Sequence, residues 1–164
     1  MDDTYIHFLT TGGTIDKEYS TQRGTRNFTI GPLAVERILD TIAPEPTFEY
    51  TVETVLEKDS LDVDVDDRAR IAAACREAPG EQVVITHGTD TMTETAAAID
   101  CEKTVVLTVA AIPQRMVDSD AAVNIGMAIG AVQSLDPGVY IAMSGGLYPH
   151  DAVEKRDDGQ FVPK

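Results

Sequence analysis

The chain contains no tryptophan, only nine other aromatic residues (five Tyr, four Phe) and two cysteines among its 164 residues, and each scarcity excludes something. Cys75 and Cys101 sit in alanine-rich or apolar surroundings without metal-ligand spacing, which leaves no disulfide framework or cysteine metal centre and makes them small core residues. Basic residues are few: 13 Lys and Arg face 28 Asp and Glu, for a formal net charge of −15. That balance removes the attraction on which nucleic-acid and anionic-membrane binding depend, and it is also the surface of a protein adapted to high salt. No apolar run approaches bilayer length, and Met1-Asp2-Asp3 is acidic where a secretory leader is basic; a cytoplasmic protein is expected.

What is present is enough apolar residue, 43%, for one sizeable core. Five β-branched runs, Tyr5-Leu9, Val52-Leu56, Val83-Thr86, Thr104-Val109 and Val139-Met143, read as strands. Between them, Val35/Ile38/Leu39/Ile42, Ile71/Ala74/Cys75/Ala78, Met92/Thr95/Ala96/Ile99 and Ala122/Ile125/Gly126/Ile129 follow the helical period. Gly31-Pro32, Asp66 or Asp67, and Asp118 or Ser119 are candidate helix starts. Alternating β and α units predict an α/β fold: an open parallel sheet with helices on both faces, a single Rossmann-like or flavodoxin-like three-layer domain. Residues 1–156 form that domain, and 157–164 read as a polar tail.

In such sheets ligands bind at the carboxyl ends of the strands, near a switch in strand order. Two unusual loops, Thr10-Thr11-Gly12-Gly13-Thr14-Ile15-Asp16 and His87-Gly88-Thr89-Asp90-Thr91, are thereby predicted to share one edge although far apart in the chain. A plain turn favours Asn, Asp or Pro over clustered threonines, and Gly12-Gly13-Thr14 does not match the dinucleotide fingerprint. Two glycines let a ligand approach the backbone. In the second loop Thr91 and Glu94 suggest a capping box, with Asp90 an alternative cap, and a helix start offers N–H donors to a developing anion. His87 has no companion histidine for a metal or triad set and reads as structural.

Taken together, TGGTI after the first strand and VITHGTDTMTETA after a later one resemble the bacterial-type L-asparaginase family, amidohydrolases with a threonine nucleophile. The likeness continues through Pro113 and the stretch from Asp118 to Asn124 to Asp151-Ala152-Val153-Glu154-Lys155, and covers the family's N-terminal, larger domain. The resemblance implies Thr14 as nucleophile, with Thr89, Asp90 and Lys155 as a second, proton-relaying set, and hydrolysis of the side-chain amide of asparagine or a related small amide through an acyl-enzyme, with no cofactor or metal. A solvated lysine among Glu154, Arg156, Asp157 and Asp158 is the competing reading of Lys155.

Gly13, Gly88, Asp59 and Ser60 are expected to shape the substrate cradle. Where the family carries a tyrosine near the nucleophile this chain has Phe28, which leaves Tyr19 as the substitute, on a loop able to close as a lid. The family's substrate-gripping serine position reads Glu57, and no arginine precedes Pro113. The partner implied is a small amino-acid amide, and the chain is expected to form a homodimer or homotetramer. The rival readings are a non-catalytic amino-acid-binding or sensor module and an amidotransferase component.

Overall fold

The computed structural model describes residues 4–19, 28–30 and 33–164, without the side chains of Tyr19 and Phe28. Its strands are β1 (Tyr5–Gly12), β2 (Lys17–Tyr19), β3 (Phe28–Ile30), β4 (Glu49–Lys58), β5 (Gln82–Thr86), β6 (Thr104–Thr108), β7 (Gly138–Met143), β8 (Gly146–Pro149), β9 (Val153–Lys155) and β10 (Phe161–Pro163). Its helices are α1 (Ala34–Leu39), α2 (Val65–Glu77), α3 (Met92–Ala97) and α4 (Ala121–Val132).

One six-stranded sheet runs in the order β4-β1-β5-β6-β7-β8, parallel except for β8. All five expected strands are in it, and the α/β reading holds. Period two divides the sheet into two cores. Leu9, Val83, Ile85, Val105, Leu107 and Ile141 pack with residues of α2 and α3. Ile6, Phe8, Val84, Val106 and Ala142 pack with residues of α1 and α4. Strands covered on both faces need nearly continuous apolar sequence, which is why these runs were legible.

Several expectations give way to local chemistry. The sheet is not wholly parallel: Ser144 (φ 53°) and Gly145 (φ 82°) turn the chain straight back, and β8 pairs antiparallel with β7. In α4 the buried positions are Ala121, Asn124, Ile125, Ala128, Ala131 and Val132, so the inward face lies one residue earlier than the apolar pattern suggested. The helix is apolar on nearly every side, so period alone selects no face, and the buried one includes Asn124, whose amide is used by neighbouring loops. Helix α2 is capped by Asp64 in a capping box with Asp67, rather than by Asp66 or Asp67 as the first residue. At α4 the cap position falls to Asp120, without a side-chain capping bond, rather than to Asp118 or Ser119, although Ser119 Oγ accepts from Ala121 N–H at 3.1 Å. Gly31-Pro32 lies outside the described residues.

The last segment is not peripheral throughout. Phe161 is buried in the α2/α3-side core, β10 pairs antiparallel with β9, and Lys164 N–H reaches Ala152 O at 3.0 Å. Apolar Phe161 and Val162 make this possible, and the return fixes the strand that carries Lys155.

Candidate active site

Strand order reverses beside β1, and the two unusual loops leave the carboxyl ends of β1 and β5, its neighbour. The register sets Thr54, Thr10, Thr86 and Thr108 side by side across β4, β1, β5 and β6 at that edge. Thr10 Oγ1 donates to Thr54 Oγ1 at 3.1 Å, and Thr11 Oγ1 to Thr86 O at 2.8 Å. Two of the clustered threonines thus stitch strands together, while Thr14, in the 3-10 turn Thr14–Asp16, is the partly exposed one.

The glycines are required by contact. Gly13 has φ 80°, and a Cβ there would lie 2.7 Å from Gly88 N and 2.8 Å from Gly88 Cα and from the His87 carbonyl carbon. The backbones of the two loops therefore touch, and the residues that follow the touching pair are Thr14 and Thr89. A third loop joins them: a Cβ on Gly88 would lie 2.5 Å from Ser60 Cβ and Oγ, and Gly13 N–H donates to Lys58 O at 2.9 Å. Ser60, 2% exposed, accepts Asp90 N–H on Oγ at 3.2 Å and the Thr91 hydroxyl on its carbonyl at 2.6 Å.

That last pair corrects two expectations at once. Thr91 is the first residue of the α3 cap but makes no side-chain capping bond, because its hydroxyl is turned to the Ser60 carbonyl. The Glu94 carboxylate meets Thr93 Oγ1 instead of closing a capping box. The Asp90 N–H, one of the donors expected to face an anion, is taken by Ser60.

The second set predicted from the sequence is assembled. Lys155 Nζ donates to Thr89 Oγ1 at 3.0 Å and to Asp90 Oδ1 at 2.6 Å, joining residues 66 and 65 positions apart in the chain. The lysine and aspartate side chains are 24% and 43% exposed, so the pair is reachable from solvent. The reading of Lys155 as a free surface lysine fails, since its ammonium is bonded to both Thr89 and Asp90. His87 is structural as expected: fully buried, Nδ1 donating to Gly88 O and Nε2 accepting from Thr95 Oγ1, both at 2.9 Å. Burial pushes its pKa down, and with Arg68 nearby it stays neutral.

Asp59 Oδ1 accepts the Leu61 N–H at 3.2 Å, ordering the turn Ser60–Asp62, and its other oxygen is 2.5 Å from Lys17 Nζ. The Lys17 hydrogen bond, joined by backbone N–H groups of Leu61 and Ser60, holds the Asp59 carboxyl below its ordinary value against the opposing effect of burial. Tyr19 pairs with Phe28 in the β2–β3 hairpin, and its side chain lies outside the described residues.

Three residues here went unassigned in the sequence. Lys17 is one; a β2 strand beginning right after the Thr14 turn was the missing signal. Asp16 is another: it is 2% exposed, and its Oδ1 takes the Ala34 N–H at 2.7 Å, tying the Thr14 turn to α1. Asn124 is the third: its amide donates to Val109 O (3.0 Å) and Asp120 Oδ2 (2.9 Å) and accepts from Ser144 N–H (3.0 Å), bracing the loops after β6 and β7.

Comparison with known proteins agrees with this layout. Among solved structures, the thermostable L-asparaginase from Thermococcus kodakarensis superimposes with a TM-score of 0.83 at 26% identity, over 98% of this chain and 51% of that one. The probable cytoplasmic L-asparaginase from Campylobacter jejuni gives 0.81 at 25% identity, over 98% and 53%. A 69-residue stretch is 44% identical to a glutamyl-tRNA(Gln) amidotransferase subunit of Methanococcus vannielii, covering 40% of this chain and 16% of that protein. The chain thus spans about half the length of its solved relatives and a smaller share of the curated one. The family model "Asparaginase, N-terminal" matches residues 5–161, so the chain belongs to the asparaginase family through that N-terminal domain.

Proposed function

We propose that this chain carries the catalytic core of an amidohydrolase that converts the side-chain amide of L-asparagine, or a related small amide, to the acid and ammonia. Thr14 Oγ1 adds to the amide carbon, the C–N bond breaks as the nitrogen takes a proton and leaves as ammonia, and water hydrolyses the ester to restore the hydroxyl. A hydroxyl attacks well only if its proton has somewhere to go at that moment. Lys155, with Thr89 as the hydroxyl it touches and Asp90 as the carboxylate that orients it, is the assembled group able to move protons at this edge. Tyr19, on the strand that follows Thr14, is the candidate base for the Thr14 hydroxyl.

Gly13 and Gly88 act by having no side chain: they let the loops close on each other and leave the backbone open to a substrate. Asp59 and Ser60 form the neighbouring rim. The observation that carries this reading is the Lys155 ammonium within hydrogen-bond distance of both Thr89 and Asp90, at 3.0 and 2.6 Å, beside the contact of Gly13 with Gly88. Membership of the asparaginase family and the likeness to two L-asparaginases support it from outside.

Ammonia release from a panel of small carboxylic amides at molar salt tests it, comparing wild type with Thr14→Ala, Thr89→Val and Lys155→Met. Loss of a nucleophile is expected to lower kcat by about 10³-fold or more, and loss of a proton-transfer group by about 10²- to 10⁴-fold. Undiminished turnover in Thr14→Ala would remove the nucleophile assignment. Calorimetric binding of the acid product with no turnover of any amide would point to a binding module instead.

A further inference from the structure

Two cysteines that read from the sequence as separate small core residues are brought together by the fold. Cys75, in the last turn of α2, is fully buried in the α2/α3-side core. Cys101, three residues before β6, is partly exposed and packs against the same core. Lys103 Nζ donates to the Ala78 carbonyl, and Ala78 follows Cys75 by three residues and is buried in that core too. Thr104 N–H reaches Glu81 O at 2.9 Å. The segment from Cys101 to Thr104 is thereby laid along the end of α2 and the turn into β5, at the amino edge of the sheet and away from the glycine loops. Burial pushes the Cys75 thiol up to about 12, and Cys101 is close enough to add to the rise.

We propose that Cys75 and Cys101 form an oxidation site: a hydroperoxide converts them to a disulfide that ties the end of α2 to the start of β6. The two differ in what they can do. Cys101 lines a surface cavity of about 420 Å³ with Arg76, Asp100 and Lys103, so a small oxidant reaches it first. Its neighbours Asp100 and Glu102 oppose an anionic disulfide oxidant but not an uncharged peroxide. Cys75, buried and protonated, is inert to the oxidant by itself. The Cys101 sulfur takes one peroxide oxygen as the O–O bond breaks, giving a sulfenic acid and water. The Cys75 sulfur then attacks the Cys101 sulfur, and the hydroxyl leaves with the Cys75 proton as a second water. Two thiols lose two electrons, and the peroxide gains them. The bond joins residues 26 positions apart and encloses β5, the Thr89–Asp90 loop and α3. It stabilises the fold chiefly by restricting the unfolded chain.

The experiment treats the folded, reduced protein with hydrogen peroxide, blocks remaining thiols with N-ethylmaleimide before any denaturant is added, and reads the products by mass spectrometry and a non-reducing peptide map. Wild type is expected to become two hydrogens lighter, to carry no maleimide, to stay uncrosslinked between chains, and to yield one peptide pair joined through Cys75 and Cys101. Dithiothreitol should restore both thiols. In Cys75→Ala, Cys101 is expected to stop at a sulfenic acid that dimedone traps. In Cys101→Ala, Cys75 is expected to survive the same treatment as a thiol. Oxidation of Cys101 with Cys75 still free in wild type, chains crosslinked through Cys101, or two thiols that both resist peroxide would each overturn the proposal.

Melting curves test the second half of the inference and do not depend on any amide being hydrolysed. The oxidised wild type is expected to melt about 5 °C or more above the reduced one. The variant lacking both cysteines, Cys75→Ala with Cys101→Ala, is the control for peroxide damage elsewhere and should melt alike with and without treatment. A disulfide that forms but leaves Tm unchanged or lower refutes the assignment of this pair as a staple.

Discussion

Replacing Asp16 with asparagine should remove a pH-dependent weakness placed two residues from Thr14. The Asp16 carboxyl is 2% exposed, and one oxygen takes the Ala34 N–H at 2.7 Å. Its other oxygen meets no donor among the described residues. Burial is the main cause that lifts its pKa from 3.8 to about 6, against the Ala34 hydrogen bond and the charge of Arg37, with Glu57 adding to the rise. The folded state therefore binds this proton more tightly than the unfolded chain does. The stability it contributes is present in full below pH 3.8 and is lost as pH rises to about 6. A shift of about 2 units corresponds to about 3 kcal/mol. An asparagine side chain keeps the acceptor for Ala34 N–H and has no charge to desolvate, and the other carboxylates are common to both proteins. The stability of Asp16→Asn relative to wild type should thus rise by up to about 3 kcal/mol between pH 4 and 7, or about 6–12 °C in Tm for a chain of this size. Melting curves of the two proteins across that range, at one fixed salt concentration, measure the gap directly. A gap that does not change with pH would refute the reasoning, because a steric effect of the substitution has no cause to follow proton concentration.

Two other perturbations address the loop contacts and the surface. In Gly88→Ala the added Cβ would meet Ser60 Cβ and Oγ at 2.5 Å, with Ser60 held in place by Asp90 and Thr91; melting should show a loss of about 1–3 kcal/mol, and Ser60→Gly should restore most of it in the double variant, whereas an unaffected Gly88→Ala protein would disprove the close approach. The net charge of −15 predicts self-repulsion that salt relieves: raising salt from about 0.1 M to 1 M shortens the screening length from about 10 Å to 3 Å, Tm should climb through that range, and a maximum in dilute buffer would show that the carboxylates are not an adaptation to salt.

The sheet was legible because its central strands β1, β5 and β6 are covered on both faces, so continuous apolar runs such as Val83–Ile85 and Val105–Leu107 have no alternative placement, while the largely exposed edge strand β4 shows itself by its β-branched residues alone. The meeting of the two glycine loops followed from topology, since parallel strands with right-handed crossovers leave their carboxyl ends on one edge. Elements held by single polar choices were not legible. β8 depends on a Ser144-Gly145 turn, and α4, apolar on nearly every side, buries a face that includes the polar Asn124. The Thr91 hydroxyl had two partners within reach of a plausible fold, the N–H donors at the start of its own helix and the Ser60 carbonyl acceptor, and local sequence sees the first alone.

The same limit governs the chemistry of the pocket. Sequence can nominate Asp59, Asp90 and Lys155 as charged groups near a substrate, but hydropathy period says nothing about which cation each carboxylate holds. The fold decides that by pairing β9 with β10, which delivers Lys155 to Asp90, and by starting β2 immediately after the Thr14 turn, which delivers Lys17 to Asp59. Two neutral pairs on the rim of a strongly acidic protein then create a local exception to its surface charge. Field lines from the remaining carboxylates repel an anionic ligand at long range, yet screening at high salt removes most of that repulsion beyond a few ångströms.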